Sequence, residues 1–555
     1  MQEFYTIIPV LAPVILFVYA GLCLVKPTNK SLFTYRKAEQ VGLVGILIAC
    51  ISACIVIATG SLQSPLVGFK GLGFSIRMDA LSMTMLTMIS ILGFVILKFS
   101  ANYLDGDHRK GVFFARLSTT IASVELLVLS GNLFQILVFW VITSVCLHYL
   151  LIFYRNRPQA IAAARKKFIV ARLGDASLLV AVALIYLSFG TGDLQQIFSS
   201  VESGGGLNTM LTWASVLLVI TAILKSAQFP THGWLIEVVE TPTPVSALLH
   251  AGLLNAGPFL MVRMSYLMIE STTASLLLIS IGGLTAMLAS IIYLTQPSIK
   301  VSLGYSSVAH MGFSLLLCGF GIYSAAILHV VAHSFYKAHS FLSSGSVVDR
   351  VRSSKIKLPQ RIGSFWRVSV SLLFPLAVYA AFCYAWGLRP DSDFSLMLIG
   401  AIIVMGLSQV MVATLDTKGR LKSMIASSVI TPSVIFVFFN LEHGSRLLMA
   451  TELPAFGEPA WLIKAAGIIL IACYSIVLGI QLIAFKWRNS KIGYQLGVHL
   501  RNGLYANVIF DRMIGSLKNE KFKWANLTVQ ESEQLDEVSE LQSLNLSERE
   551  LLLSN

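Results

Sequence analysis

The chain alternates between long apolar runs and short polar stretches. A membrane-spanning helix needs about 20 mostly apolar residues, and about fifteen segments meet that requirement. They centre near Leu16, Ile48, Leu86, Val124, Val141, Leu178, Leu218, Leu254, Leu284, Leu316, Val331, Leu376, Val404, Val434 and Leu470. The runs are continuous rather than alternating, which excludes a closed barrel and predicts an all-α polytopic membrane protein. The stretch from Met1 to Val25 has no basic leader and no small-residue cleavage site, so it reads as the first span. Beyond Lys491 the pattern stops. The segment from Asn519 to Asn555 is polar and acidic, with Leu535, Leu541 and Leu544 at irregular helical spacing, and is expected to be a cytoplasmic extension or short amphipathic helix.

Composition sharpens this. Of 555 residues 55% are apolar and 12% charged, against about 25% charged in soluble domains. That excludes a water-soluble enzyme and a disordered chain. Lys and Arg total 41 and Asp and Glu 28, a net charge of +13. The surplus lies in stretches that share one side of the predicted topology: Lys26–Lys37, Arg155–Lys167, Arg350–Arg367, Lys418–Lys422 and Lys486–Lys491. That side holds about 25 Lys and Arg and the other about four, which predicts the N-terminus outside and the C-terminus in the cytoplasm. The stretch from Gly190 to Asn208, on the predicted outer side, has neither residue. No basic stretch is interleaved with aromatics as nucleic-acid binding requires. The seven cysteines lie in apolar runs without metal-type spacing and are expected to pack as small apolar groups.

The candidate chemistry is the charge placed inside the spans, where each ionised group costs about 2.5–3.5 kcal/mol on insertion scales and needs a partner or water. Lys225 closes an apolar run ahead of Ser226-Ala-Gln-Phe-Pro230. Pro230 removes a backbone donor and disfavours helix at Phe229, so a broken helix with a lysine at the break is expected, the arrangement of ion sites in transporters. A lysine snorkelling to the interface is the alternative. His250 lies in the next span, behind Pro242 and Pro244. His329, His333 and Lys337 recur at i, i+4 and i+8, so they line one helix face, and His339 follows two residues later. Stacked histidines can relay protons, with polar packing and metal binding as alternatives. His310 and Lys300 precede them and could extend the path. Asp175 follows Arg172 by three residues in an apolar helix and is expected to pair with a lysine. Glu125 sits in the Ser- and Thr-containing span Leu117–Ser130, with Lys225 or Arg116 as candidate partners. No phosphate loop, nucleotide fingerprint or nucleophile motif is present.

The run from Lys225-Ser-Ala-Gln-Phe-Pro to Pro242-Thr-Pro-Val-Ser-Ala-Leu-Leu-His250-Ala-Gly resembles the signature of antiporter-like subunits. These are the large membrane subunits of respiratory complex I and of multisubunit sodium/proton antiporters. Ser302-Leu-Gly-Tyr-Ser-Ser and His329–Ser346 match the same family, and the resemblance covers roughly residues 75 to 385. It implies two inverted five-helix repeats, each with a broken helix, and a chain of buried charges formed by Lys225, His250, Asp175, Lys300, His329, His333 and Lys337. It also implies a division into N-terminal helices (1–110), a first repeat (111–270), a second repeat (271–415), C-terminal helices (416–490) and a tail (491–555). Two positions depart from the respiratory pattern. Trp140 is followed by Val141 where those members carry a glutamate, and Phe374-Pro375 to Tyr384 lacks their distal lysine. Glu125, on the neighbouring helix, could stand in for the carboxylate.

The end, His499-Leu-Arg-Asn-Gly-Leu-Tyr-Ala-Asn to Asp511-Arg, resembles the membrane subunits of DAB-type inorganic carbon transporters of bacteria and archaea. That resemblance implies a chain in the cytoplasmic membrane passing a cation, H⁺ in the first reading, down its gradient. Its partner would be a large soluble zinc protein related to β-carbonic anhydrases that hydrates CO₂ in one direction. The chain itself would hold no cofactor or metal and catalyse nothing. The alternatives are a proton-pumping subunit of complex I or a related hydrogenase, a sodium/proton antiporter subunit, and a non-transporting scaffold.

Overall fold

A computed structural model describes residues 5–25, 31–154, 157–204, 206–238, 241–346, 365–415, 421–455, 457–487 and 490–513. The described residues up to Leu504 form one packed unit, and Tyr505–Met513 belong to a second, in which Ala506–Met513 is helical.

The first unit is almost wholly helical. It opens with α1 (Leu11–Val25) and α2 (Ser31–Thr59), followed by α3 (Ala80–Tyr103), α4 (Lys110–Val128), α5 (Leu133–Leu151) and α6 (Pro158–Phe189). Next come the short α7 (Leu194–Ser203), then α8 (Thr209–Lys225), α9 (Gly233–Glu237), α10 (Thr243–Ala251), α11 (Ala256–Arg263) and α12 (Ser265–Glu270). The rest are α13 (Thr272–Tyr293), α14 (Ile299–Gly319), α15 (Tyr323–Leu342), α16 (Phe365–Trp386), α17 (Phe394–Leu415), α18 (Leu421–Leu448), α19 (Trp461–Trp487) and α20 (Lys491–Arg501). All fifteen predicted centres fall in these helices or in the 3₁₀ turn Leu253–Asn255 that joins α10 to α11. Among the described residues twelve spans are long and apolar enough by themselves, one of them Thr243–Arg263 across that turn. The three remaining centres lie in α8, which is only 17 residues long, and in α15 and α18, which carry polar and charged side chains.

Side-chain oxygens set several helix starts by accepting from otherwise unpaired amides. Asp79 caps α3 through Ser82 N, Asn132 caps α5 through Phe134 N, and Asn208 caps α8 through Leu211 N. Between α2 and α3 a hairpin pairs β2 (Val67–Phe69) with β3 (Leu72–Phe74) around a two-residue turn. Lys70 and Gly71 there have φ +49° and +77°, as a type I′ turn demands. Outside it β1 (Leu62–Gln63) pairs with β4 (Arg77–Met78). The Gly71 carbonyl accepts from Asn132 Nδ2 and Gly192 N, which gathers the α2–α3, α4–α5 and α6–α7 connections at one end of the helices.

Helices α13 and α14 approach closely because glycines face backbone. A Cβ on Gly312 would lie 2.7 Å from Ala286 N, and one on Gly282 would lie 2.8 Å from Gly312 O. The three-residue link Phe320–Ile322 then turns the chain back into α15, antiparallel to α14.

Two expectations change here. The basic stretch Arg155–Lys167 is not a loop throughout, because α6 starts at Pro158 and Lys166 and Lys167 are buried within it. The helix with Pro375 is unbroken, so a break is seen in the first half of the family segment only. Tyr384, at the predicted position of the absent lysine, is 90% exposed. The basic stretch Arg350–Arg367 and the Lys418–Lys422 stretch lie largely outside the described residues, as does the acidic segment from Asn519.

Candidate functional site

The predicted break is present. Helix α8 ends at Lys225, α9 resumes at Gly233, and the peptide before Pro230 is cis. Ala227 within the break has φ +52°, a conformation that costs a side-chain-bearing residue free energy and persists where the surroundings hold it. Helix α11 crosses just behind. A Cβ on Gly257 would meet Ser226 Oγ at 1.9 Å and the Ala222 carbonyl at 2.8 Å, so only glycine lets α11 lie against the end of α8.

Lys225 is half-buried and points at α5. Its Nζ lies 3.4 Å from the Trp140 carbonyl and 3.5 Å from Thr143 Oγ1, with the Trp140 ring centroid 4.5 Å away. It does not snorkel away. It lines a cavity of about 20 Å³, measured as space open to a water centre, together with Lys167, Gly174, Thr221, Trp234 and Leu249. A water needs about 10–15 Å³ on that measure, so the space suits one ordered water. Asp175, buried on α6, forms an ion pair at 2.6 Å with Arg172, which corrects the expected lysine partner, although Lys225 lies within its electrostatic reach.

Beyond the cavity wall stands His250 of α10, buried and stacked on Phe341 at a 4.2 Å centroid distance, with its Nδ1 unbonded among the described residues. Phe341 belongs to α15, and one turn back on that helix lies Lys337, fully buried, donating to the Leu303 carbonyl at 3.1 Å. Another turn brings His333, buried with neither ring nitrogen bonded among the described residues, and a third brings His329. His310 of α14 completes this group. Its Nδ1 lies 3.2 Å from His329 Nε2, and its ring centroid lies 4.8 Å from that of His333. The structure therefore joins His250, Lys337, His333, His310 and His329 along facing surfaces of α10, α14 and α15. His339 is exposed, with Phe335 and Tyr336, on the outer face of α15. Among the described residues no group of three His, Cys, Asp or Glu is arranged to hold a metal ion.

Two predicted members stand apart. Lys300, half-buried in the first turn of α14, is ten residues, or about 15 Å of helix rise, from His310. Its nearest link to the line is Leu303, one turn on, whose carbonyl receives Lys337. Glu125 is buried, but its partner is neither Lys225 nor Arg116: Oε1 accepts from Ser90 Oγ at 3.0 Å, and Oε2 has no hydrogen-bond partner among the described residues.

Other groups escaped the sequence reading. Lys166 pairs with Glu237 at 2.6 Å, and Lys167 donates to the Ser144 carbonyl at 2.5 Å and to Ser144 Oγ at 3.1 Å. His232 in the break is buried, stacked on Phe229 at 3.8 Å, with both ring nitrogens unbonded. Glu442 of α18 is buried and accepts from Ser324 Oγ at 3.0 Å, in the first turn of α15. The signal for Lys166 and Lys167 was their distance from Pro158, more than two helical turns inside a run that continues without a breaker to Phe189.

The family model described as "NADH:quinone oxidoreductase/Mrp antiporter, TM" matches residues 130–418, and one described as "NADH-Ubiquinone oxidoreductase (complex I), chain 5 N-terminus" matches 67–114. The chain belongs to this antiporter-like family. Among its relatives is "Probable inorganic carbon transporter subunit DabB2" of Halothiobacillus neapolitanus, 37% identical over 463 residues, 83% of each chain. "Probable inorganic carbon transporter subunit DabB" of Hydrogenovibrio crunogenus is 33% identical over 73% of this chain and 80% of its own. The fold matches a chain of the Mrp complex from Dietzia sp. DQ12-45-1b with a TM-score of 0.57 at 21% identity, covering 96% of this antiporter-like subunit and 63% of that chain. Like the other members, it is a multi-span membrane protein of transporter type.

Proposed function

We propose that this antiporter-like subunit is the H⁺-conducting membrane component of an inorganic carbon transporter. It would pass protons down their gradient and thereby drive one-way CO₂ hydration by a soluble partner related to β-carbonic anhydrases. The observation that carries this reading is the 37% identity to a probable inorganic carbon transporter subunit over 463 residues, 83% of both chains. The uncharged Val141 and the outward Tyr384 support it, since they leave the respiratory pattern incomplete. The zinc and the carbonic chemistry belong to the partner. This chain would supply the proton route: Lys225 at the break, His250 beyond the cavity, then Lys337, His333, His310 and His329. Lys300 lies at one end, and Asp175 and Glu125 flank the route. Its division at 110, 270, 415 and 490 follows the family's repeats, and its orientation is N-terminus outside, C-terminus cytoplasmic, in the bacterial cytoplasmic membrane.

The test is mild-detergent purification of the tagged chain from its host, with mass spectrometry and metal analysis, followed by uptake of labelled inorganic carbon with and without an uncoupler. One large soluble partner with stoichiometric zinc and uncoupler-sensitive uptake is the expected result. A second reading, a pumping subunit of a complex I-type assembly, is favoured by the family match over 130–418. Co-purification of quinone-reducing subunits would establish that reading and overturn ours.

A further inference from the structure

The cavity beside Lys225 holds a second buried amine. Lys167 is 4% exposed, and Lys167 and Lys225 line the same small space. Adjacent residues of α5 hold them: Lys225 faces Thr143 Oγ1, and Lys167 donates to both oxygens of Ser144. Their Cα anchors on α5 are thus one peptide unit, about 3.8 Å, apart. None of these partners is an anion. The titratable groups around the pair are Arg172 and Asp175 on α6, and Cys146 and His148 on α5. The one carboxylate among them, Asp175, is already paired with Arg172 at 2.6 Å. With both amines protonated, two ammonium groups would share a space that admits one water, while the nearby Asp175 is already compensated by Arg172. Like charges so confined disfavour joint ionisation, and the two sites titrate as a coupled pair.

We infer that Lys167 and Lys225 form a proton-exchanging lysine pair in which only one amine is protonated at rest, with Lys167 the acceptor for Lys225. The step balances without another reagent. A Lys225 Nζ–H bond breaks as the bridging water takes that proton, and the water passes one of its own to the Lys167 Nζ lone pair. One ammonium and one neutral amine exist before and after. A neutral Lys167 still has two N–H bonds for Ser144 and a lone pair for the incoming proton.

This rests on the proposed proton route, so the experiment separates the two. The full-length subunit, with whatever partner co-purifies, is reconstituted in vesicles, and H⁺ entry driven by a potassium diffusion potential is read with an entrapped pH dye. Lys225→Met is expected to abolish flux; if it does not, the conduction reading itself fails. Lys167→Gln and Lys167→Arg are each expected to lower flux at least tenfold. Arginine keeps the charge and the donors but does not release a proton at working pH. If Lys167 only clamps α5 to α6, Lys167→Arg keeps its flux while Lys225→Met loses it, and the pair is refuted alone. A flux-independent readout is the ¹⁹F signal of fluorotryptophan at position 140, assigned with Trp140→Phe, because Lys225 sits over that ring. The native protein should titrate in two coupled steps and Lys167→Met in one, displaced to higher pH than the first. Superposable titrations would overturn the inference.

Discussion

Removing Arg263 tests a buried ionic cluster that ties ends of α3, α4 and α11 together. Asp79 is completely buried, and its carboxylate accepts from Arg263, from Arg77 Nε at 2.6 Å and from Ser82 N at 2.7 Å. Arg263, 3% exposed, also donates to Ser82 Oγ at 2.6 Å, and Ser82 Oγ donates to the Val128 carbonyl at 3.0 Å. The cluster therefore joins the start of α3, the end of α4, which carries Glu125, and the end of α11, which continues from the His250 helix. Breaking a buried pair from one side costs about 3–5 kcal/mol, mostly for the charge left behind. Arg77 stays with Asp79 in Arg263→Met, so the lower bound, about 3 kcal/mol, is expected. Asp79→Asn keeps the cap but strands Arg263, at a comparable cost. The double variant strands neither, so its loss should fall short of the sum by about 2 kcal/mol, within the range of coupled neighbours. The assay is the heat-resistant fraction by fluorescence-detected size exclusion of the intact subunit. Losses that simply add would refute the argument.

The pH dependence of the same cluster has a definite sign. Burial pushes the Asp79 carboxyl up, but attraction by Arg263 and then Arg77, with the Ser82 amide, outweighs it and holds the group well below the usual carboxylate range. A depressed folded value means that the stabilisation is complete above the unfolded value, about 3.9, and disappears as pH falls through the folded one. Heat resistance contributed by the cluster should be flat from pH 5 to 8. A loss centred near pH 6 in the native protein, absent from Asp79→Asn, would contradict this.

Four further outcomes are expected. Glu125→Gln should abolish proton flux while leaving heat resistance near native, because the amide can still accept from Ser90; a fully active variant would remove Glu125 from the route. Lys337→Met should cut flux at least tenfold, and native flux would exclude Lys337 as a relay. Gly257→Ala should cost about 1–3 kcal/mol through overpacking, since the added methyl meets the Ala222 carbonyl as well as Ser226 Oγ; its flux should fall as Lys225 is displaced, and a native thermal profile would refute the close approach. Tyr154, between α5 and α6, is pushed up to about 12 by burial and then by its hydrogen bond to Asp107 at 2.9 Å. The raised value means stability is constant below pH 10 and falls from pH 10 to 12. The ultraviolet difference between the native protein and Tyr154→Phe should show that one phenol ionising late.

What the sequence disclosed and what it hid follow from one physical distinction. Hydropathy reports whether a segment can lie in lipid, and all fifteen centres proved helical. Periodicity reports which side chains share a face, so His329, His333 and Lys337 were legible as a row and His339 separated from them at the expected angle. Neither reports which face of a second helix the row meets. The His310 contact, the Phe341 stack under His250 and the Asp79–Arg263 pair span 19, 91 and 184 positions of chain, and no local pattern encodes them. Lys166 and Lys167 were misplaced for a different reason. Counting basic residues to orient a membrane protein treats each as a solvated loop charge, and that count fails where α6 extends a basic end into the bundle.

The limits of the buried line are themselves informative. Its groups lie on α4, α6, α8, α10, α14 and α15, and α16 adds no charge to it: Pro375 leaves that helix continuous and Tyr384 faces outward. The spans Trp366–Trp386 and Trp461–Leu482 are only 22% and 11% buried, so these helices present apolar surface rather than a polar interior. A proton that reaches His329 therefore has no described relay onward through α16. On the N-terminal side of His329 the nearest polar residue in the chain is Ser324, five residues back and bonded to the buried Glu442. One turn and a half of α15, about 7.5 Å, separates Ser324 from His329. A proton route leaving by Glu442 would end at the start of α15 and not at the distal helix, and would need no charge at position 384. Glu442→Gln separates the alternatives: it should block flux if the line ends there and leave it unchanged if the line ends elsewhere.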